Sequence, residues 1–427
     1  MNYQHSVALE QHLSFVRDNS PYFRTVWQEV WPQNAPFPGL AALPITDHTT
    51  YWAANGTLDN SLLTAPHDAG IVFKSGGTTG NPKFSFFSNE DWQEFCRTFS
   101  LGIRRGGIQP GERIANLFYG GQLYASLLFF GKYLEEAGIG VHFPLAGFAP
   151  QAEIIQTLTH FRIQTLAGTP TTMLNLLPAL AAAGRDTIDL KRIIFAGEAM
   201  FPDQVAMIKK SFPECRVQSA GIAGVDYGEI GWCDESCEPG VHYLFEESTV
   251  LEILDDNQQP ITEPDVPGAI HVTNFKRRLM PVVRYPVGDM GMWLANDLGQ
   301  PRRFKLLGRT EKGARVGPMT LYFEDFQAIL AREARETDFI TFQLVIDHFD
   351  QLDQCTLRIA VPQPQAIPAA LGEKIIAALY HERHMFPDLI KERVVHPLLV
   401  EWTTPASMIT NPRTGKLLRV VDRRHQA

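Results

Sequence analysis

Apolar residues recur at helical spacing through Ala8, Leu9, Leu13, Val16, Tyr22, Phe23, Val26 and Val30, with a break at Ser20 and Pro21. This pattern predicts a pair of helices at the start of the chain. From about residue 68 short apolar runs alternate with helical patterns. Arg113–Phe118, Gly140–Phe143, Thr165–Ala167 and Arg192–Ala196 read as strands, and Gln122–Ala137, Pro150–His160, Thr171–Ala183 and Pro202–Phe212 as the helices between them. Such a rhythm predicts a mostly parallel sheet covered by helices. After residue 240 the pattern shortens. Thr249–Leu254, Ala269–Thr273, Val282–Tyr285 and Gly291–Leu294, separated by Asp-Asn, Pro-Gly and Asp-Leu-Gly turns, predict a small antiparallel or barrel-like β subdomain over about 240–303. Gly308–Pro318 holds three glycines and a proline in eleven residues and reads as a hinge or linker. Beyond it, helical patterns at Phe323–Ala334 and Pro368–His381 and strand patterns at Phe342–Ile346 and Leu357–Val361 predict a separate α+β domain. The expected fold class is α/β: a large N-terminal domain over 1–307 and a small mobile α+β C-terminal domain over 319–427.

Composition narrows the function. The 427 residues, 44% of them apolar, suffice for two or three buried cores. A net charge of −9, with no basic run longer than Lys276-Arg277-Arg278, argues against nucleic acid as a partner, because such binding needs many phosphates neutralised. No apolar run approaches the ~18 residues that span a bilayer, and the first residues lack a basic segment followed by an apolar one, so no membrane partner is expected and the reading is cytoplasmic. Five cysteines, an odd and sparse set, fit a reducing compartment.

The candidate chemistry starts at Lys74-Ser75-Gly76-Gly77-Thr78-Thr79-Gly80-Asn81-Pro82-Lys83, which follows the apolar run Gly70–Phe73 and precedes the strand-like Phe84–Ser88. Glycines let backbone N–H groups turn inward, and Ser75, Thr78 and Thr79 add hydroxyls to the same concavity, with Lys83 as a point charge. The order differs from a Walker loop, which opens a helix after Gly-Lys-Ser/Thr. A hairpin loop over a nucleotide and an ordinary Gly/Ser/Thr turn both remain open from composition alone.

The loop resembles the phosphate-binding loop of the adenylate-forming superfamily of acyl-CoA synthetases, luciferases and adenylation domains. Further segments match in order across nearly the whole chain and resemble the phenylacetate-CoA ligase branch. These are Asn19–Arg24, Leu43–Thr46, Ala196-Gly197-Glu198-Ala199 at the adenine-side turn, Pro281–Tyr285 with Gly288 and Asp289 at the ribose motif, Leu307-Gly308-Arg309 at the hinge start, and Pro412–Lys416 with Arg419–Asp422 at the C-terminal lysine motif. The small residues and the altered metal motif further resemble adenylating proteins of phenazine-antibiotic biosynthesis.

The resemblance implies ATP- and Mg²⁺-dependent activation of a carboxylic acid to an acyl-adenylate, with release of pyrophosphate. It places Gly76–Gly80 with Thr78 and Thr79 around the β- and γ-phosphates, Ser75 and Lys83 at the edges of that loop, and Gly197, Glu198, Ala199, Ala220 and Gly221 around the nucleotide. Asp289 and Arg309 fall on the ribose, and catalysis falls to Lys416, Asp226 and Thr79. Asp226 is the implied Mg²⁺ ligand, at a position where the family has Glu after Thr. The preceding Val225 lacks the hydroxyl of that threonine, and a turn or cap role for Asp226 stays open. Glu311 matches the residue about which the C-terminal domain turns to admit a thiol, in a segment that departs from the family pattern.

The acyl pocket is expected at Leu117, Phe118, Tyr119, Gly120, Gly121 and Ala220–Ala223, where Ala223 and its small neighbours suit a flat aromatic acid, although close packing accounts for them equally. The acceptor expected is CoA or a phosphopantetheine thiol on a carrier protein. Two alternatives stand beside it: an adenylate-only enzyme serving a partner reductase or acceptor, and a non-catalytic nucleotide or acyl binder. Either a dimer or a monomer is compatible. Cys233, Cys237 and His242, spaced C-x₃-C-x₄-H, are candidate Zn²⁺ ligands or else two free thiols and a surface histidine.

Overall fold

In the computed structural model the described residues are 3–75, 83–121, 123–184, 186–197, 200, 202–295, 300–309, 313–334, 337, 339, 341–361, 363–404, 407–409 and 418–424. These described residues divide into two compact units, those up to 307 in one and those from 308 in the other.

The larger unit opens with helices Tyr3–Asn19 and Pro21–Trp27. Ser20 caps the second, accepting from Phe23 N at 3.5 Å, and Pro21 occupies the first turn, where its missing N–H costs nothing. Next come two strands, Gly70–Ser75 and Lys83–Ser88, paired antiparallel with Ser75 opposite Lys83. A five-stranded, wholly parallel sheet follows in the spatial order Val141–Pro144, Arg113–Asn116, Thr165–Gly168, Arg192–Phe195, Arg216–Ser219. Successive strand residues face opposite sides, as strand geometry requires. Ala115, Leu166 and Ile193 enter one core with Leu158, Met173 and Leu176, while Ile114, Ala167 and Ile194 enter the other with Phe99, Phe130 and Trp232.

A second, antiparallel sheet is larger than the sequence suggests. Seven strands run in the order Thr249–Leu254, Gly268–Asn274, Val282–Trp293, Arg303–Arg309, Val241–Leu244, Gly228–Trp232, Ile222–Gly224. It therefore takes up the chain directly after the last parallel strand, and its apolar face packs on Leu13, Phe23, Trp27 and Tyr51 of the N-terminal segments.

The smaller unit holds a hairpin of Gly313–Val316 with Met319–Tyr322, a helix Phe323–Glu333, and a four-stranded mixed sheet ordered Leu399–Thr403, Leu352–Ala360, Thr341–Phe349, Val420–Asp422. Two further helices, Ala369–Glu382 and Met385–Lys391, complete it. Part of the glycine-rich stretch read as linker is thus a strand, and Gly317 (φ +55°) makes the turn of its hairpin. No helix among the described residues is long and apolar enough to cross a membrane.

Candidate functional site

The register of the first hairpin decides what it presents. Residues opposite each other in an antiparallel pair share a face, so Phe73 and Ser75 of one strand lie on the same side as Lys83, Ser85 and Phe87 of the other. That face is apolar at one end and polar at the other. Phe73 and Phe87 join Phe95, with Ala223 and Val225 packed against them, whereas the other face sends Phe86, Val72 and Phe84 into the N-terminal core.

At the polar end, Ser85 Oγ donates to Asp226 Oδ1 at 3.0 Å and the Ser75 hydroxyl also hydrogen-bonds this carboxylate. Burial pushes the Asp226 carboxyl above the ordinary carboxylate range, opposed by the Lys83 charge, the two serine hydroxyls and Arg277. Lys83 Nζ lies 5.2 Å from the centre of the Trp52 ring. Three of the residues singled out in the sequence, Ser75, Lys83 and Asp226, therefore converge.

A second group converges along the carboxyl edge of the parallel sheet. Counted along the chain, the strand order is 2-1-3-4-5, and the direction of winding reverses between Arg113–Asn116 and Thr165–Gly168. Ligands of open parallel sheets bind in the crevice beyond such a reversal. Tyr119, Gly120 and Gly121 leave the first of these strands, Gly197 leaves Arg192–Phe195, and Ala220 and Gly221 leave Arg216–Ser219. Ala220 N donates to Phe195 O at 2.8 Å, which ties neighbouring strand ends together. Gly221 adopts φ +119°, and a Cβ there would stand 2.4 Å from Gly231 O, so only glycine allows this approach. Tyr119 is 38% exposed and its ring lies 6.3 Å from that of Phe148, which is also exposed.

The ribose-motif segment shows two kinds of residue. Arg284 is 4% exposed, with φ +43°; it pairs with Glu252 at 3.0 Å and donates to Ala41 O and Leu43 O. It therefore anchors the Leu43–Thr46 segment, whose Thr46 Oγ1 donates to Val283 O at 2.6 Å. Asp289 is half-buried further along the same strand, after Gly288 (φ +85°). Arg309 ends the strand Arg303–Arg309.

No family profile matches the chain. Curated relatives do. The chain is 24% identical over 436 residues to the phenylacetate-coenzyme A ligase of Thermus thermophilus, covering 97% of this chain and 95% of that one. It is 24% identical over 370 residues to the enzyme of the same name from Aromatoleum evansii, at 83% and 78% coverage. Among solved structures, a 2-hydroxyisobutyryl-CoA ligase in complex with its acyl-AMP and CoA superposes with a TM-score of 0.72 at 18% identity, over 99% of this chain and 89% of that one. The chain is thus similar to phenylacetate-coenzyme A ligases along nearly its whole length and shares the fold of an acyl-CoA ligase. The relatives so named are all coenzyme A ligases.

Several site positions expected of this superfamily, Gly76, Gly77, Thr78, Thr79, Gly80, Glu198, Ala199, Glu311 and Lys416, lie outside the described residues, as does the side chain of Arg309. The zinc reading is corrected. Cys233 and Cys237 share a thiol hydrogen bond, but His242 turns Nδ1 to Gly240 O at 3.0 Å and stacks on Phe304, with burial holding its imidazole down at about 4. Among the described residues no group of three metal-ligating side chains forms. Mg²⁺ needs no such cage, because it binds through one or two carboxylates plus substrate phosphates. Asp226, beside two serine hydroxyls, offers one such carboxylate.

Sequence reasoning missed Arg277, Glu229, Ser85 and Trp52. Arg277 is the most consequential: it is 4% exposed, and its Nη1 donates to Val225 O at 2.6 Å, the carbonyl next to Asp226. A signal for it existed. Phe275, Arg277 and Leu279 alternate with the exposed Lys276 and Arg278, so the period-two pattern of the segment turns Arg277 inward.

Proposed function

We propose that this protein uses ATP and Mg²⁺ to convert an aromatic carboxylic acid into its acyl-adenylate, releasing pyrophosphate, and then passes the acyl group to CoA or a phosphopantetheine thiol. The observation that carries this reading is the hairpin that sets Ser75, Lys83 and Ser85 on one face against Asp226. The attacking carboxylate is already ionised, so the site needs positioning and charge neutralisation more than a base. Lys83 supplies a fixed positive charge at the base of the loop. Asp226 would hold Mg²⁺, whose contribution is to neutralise the β- and γ-phosphate oxygens. The acid would enter at the carboxyl edge of the parallel sheet, against Tyr119, Gly120, Gly121 and Ala223. Small side chains at Ala220 and Ala223 leave width for a flat ring system, whereas Gly221 and Gly224 are small because Gly231 O and the Tyr227 ring approach them closely; phenazine carboxylic acids stand at the wide end of the proposed range.

The test is carboxylate-dependent ATP–pyrophosphate exchange with benzoic, phenylacetic, hydroxycinnamic and phenazine carboxylic acids, with 2-hydroxyisobutyric acid as the aliphatic comparator. Each acid is then run with CoA and the products read by mass. Exchange and a CoA thioester with an aromatic acid are the expected results. Exchange without a thioester redirects the acceptor to a partner protein, and exchange with the aliphatic acid alone overturns the aromatic assignment.

A further inference from the structure

Behind the Asp226 turn lies a buried polar assembly that the adenylation reading does not use. Arg277 is held there by Nη1 on Val225 O, by Nη2 on Met280 Sδ at 3.5 Å, and by the Phe87 ring 4.2 Å from its guanidinium carbon. Its Nε finds no acceptor among the described residues. Glu229, on the strand that follows the turn, is 1% exposed; Ser248 and Asn274 side chains hydrogen-bond its carboxyl, while Oε1 finds no donor among the described residues. Both residues line one cavity of about 10 Å³, floored by Phe87 and Phe95. An orphaned buried donor and an orphaned buried acceptor each cost free energy, and two of opposite kind beside one cavity complement each other. The cavity has the size of a single water site, and a buried water needs two to four polar partners.

The remaining contacts fix this assembly to the turn. Asn274 Oδ1 accepts from Lys276 N and Arg277 N at 3.0 Å each, and Asp91 accepts from Arg278 N and Leu279 N at 2.8 Å each, so the backbone carrying Arg277 is clamped at consecutive residues. A Cβ at Gly228 (φ +86°) would stand 2.5 Å from Asn274 Nδ2, which lets the same carboxamide press against the end of the turn.

We propose that one buried water joins Arg277 Nε to Glu229 Oε1, and that this bridged pair is the positioning element that fixes the Val225–Asp226 turn for metal–nucleotide binding. The inference rests on the assignment of Asp226 to the metal. Groups that orient a metal ligand without touching the metal commonly change affinity or activity by about 10- to 100-fold when removed.

The experiment measures Mn²⁺ binding by electron paramagnetic resonance in the presence of a non-hydrolysable ATP analogue, together with the Mg²⁺ dependence of pyrophosphate exchange. The proteins are the full-length parent and the D226N, R277M, R277K, E229M and E229Q variants, each checked for folding by circular dichroism. Glu229→Gln keeps an acceptor on the bridge and should bind Mn²⁺ within about twofold of the parent. Arg277→Met and Glu229→Met should weaken Mn²⁺ binding about 10-fold or more, raise the half-saturating Mg²⁺ in parallel, and leave KM for the carboxylic acid unchanged. A purely structural role would lower the active fraction without moving metal affinity. Should Arg277→Met fail to fold, Arg277→Lys decides, because an ammonium on Val225 O has no second N–H placed as Nε is. Parental metal affinity in the folded Arg277 and Glu229→Met variants, with Asp226→Asn impaired, overturns the positioning role alone. Parental affinity in Asp226→Asn overturns the Asp226 assignment and the positioning role with it.

Discussion

Glu229→Gln should stabilise the larger unit at neutral and alkaline pH and do progressively less as the pH falls. Glu229 is 1% exposed, and burial raises its carboxyl from 4.5 to about 7, against hydrogen bonds from Ser248 and Asn274 that favour the charge. The folded chain thus binds a proton that the unfolded chain has released between those two values. The neutral carboxyl's contribution is fully present below about 4.5 and is lost as the pH rises through about 7. A shift from 4.5 to about 7 corresponds to about 3 kcal/mol at 1.36 kcal/mol per pH unit. The glutamine keeps the shape and avoids the buried charge. The difference in unfolding free energy between Glu229→Gln and the parent should therefore grow by about 3 kcal/mol from pH 4.5 to pH 8. Urea unfolding followed by tryptophan fluorescence reads it, since Trp27, Trp31, Trp52, Trp92, Trp232 and Trp293 lie in the larger unit and Trp402 alone in the smaller. The other titrating groups cancel in the difference. A difference that stays flat from pH 5 to pH 8 refutes a burial-dominated Glu229.

Acid should destabilise the same unit through His12 and His242, which burial holds down at about 3 and about 4. Their contribution is complete above 6.5 and falls by about 2 kcal/mol each by pH 5, so His242→Phe, which preserves the stack on Phe304, should reduce the acid slope of urea unfolding by about one proton. Lys83→Met should lower the rate of pyrophosphate exchange about 10²-fold at unchanged fold, as loss of one preorganised cation does, and near-parental exchange would remove Lys83 from the site. Arg284→Met should cost about 3–5 kcal/mol in denaturant unfolding by leaving Glu252 buried and unpaired, and Arg284→Met with Glu252→Met should recover much of that loss.

Local pattern carried far into the fold. The break at Ser20-Pro21 ends one helix and starts another, and the strands read at Thr165, Arg192 and Val282 are present. Discrepancies have local causes. The helix expected from Gln122 starts at Ser126, because Gly121 (φ +88°) and Leu123 (φ +65°) take left-handed conformations and Leu123 O accepts from Lys74 N at 2.9 Å. That segment therefore closes over the first hairpin instead of coiling. Arg284 sits inside a motif associated with ribose, yet its partners Ala41, Leu43 and Glu252 make it an internal strut. Neither fact is local in sequence: Arg284 and Leu43 are separated by 241 positions.

The candidate site shows the same division between pattern and contact. Polar and apolar residues alternate through Lys83, Phe84, Ser85 and Phe86, which identifies a strand with a polar side, but nothing within the segment says what that side meets. The answer is a carboxylate 141 residues away, reached by Ser85 Oγ. Packing makes the meeting specific. Phe87 and Phe73 seat the apolar end of the face against Val225, and Arg277 lies over Phe87 while gripping Val225 O, so the aromatic contact and the hydrogen bond fix the same turn from two sides. On the proposed metal role of Asp226, the Arg277 contact is the restraint on that turn, and it comes from a residue some fifty positions further along the chain.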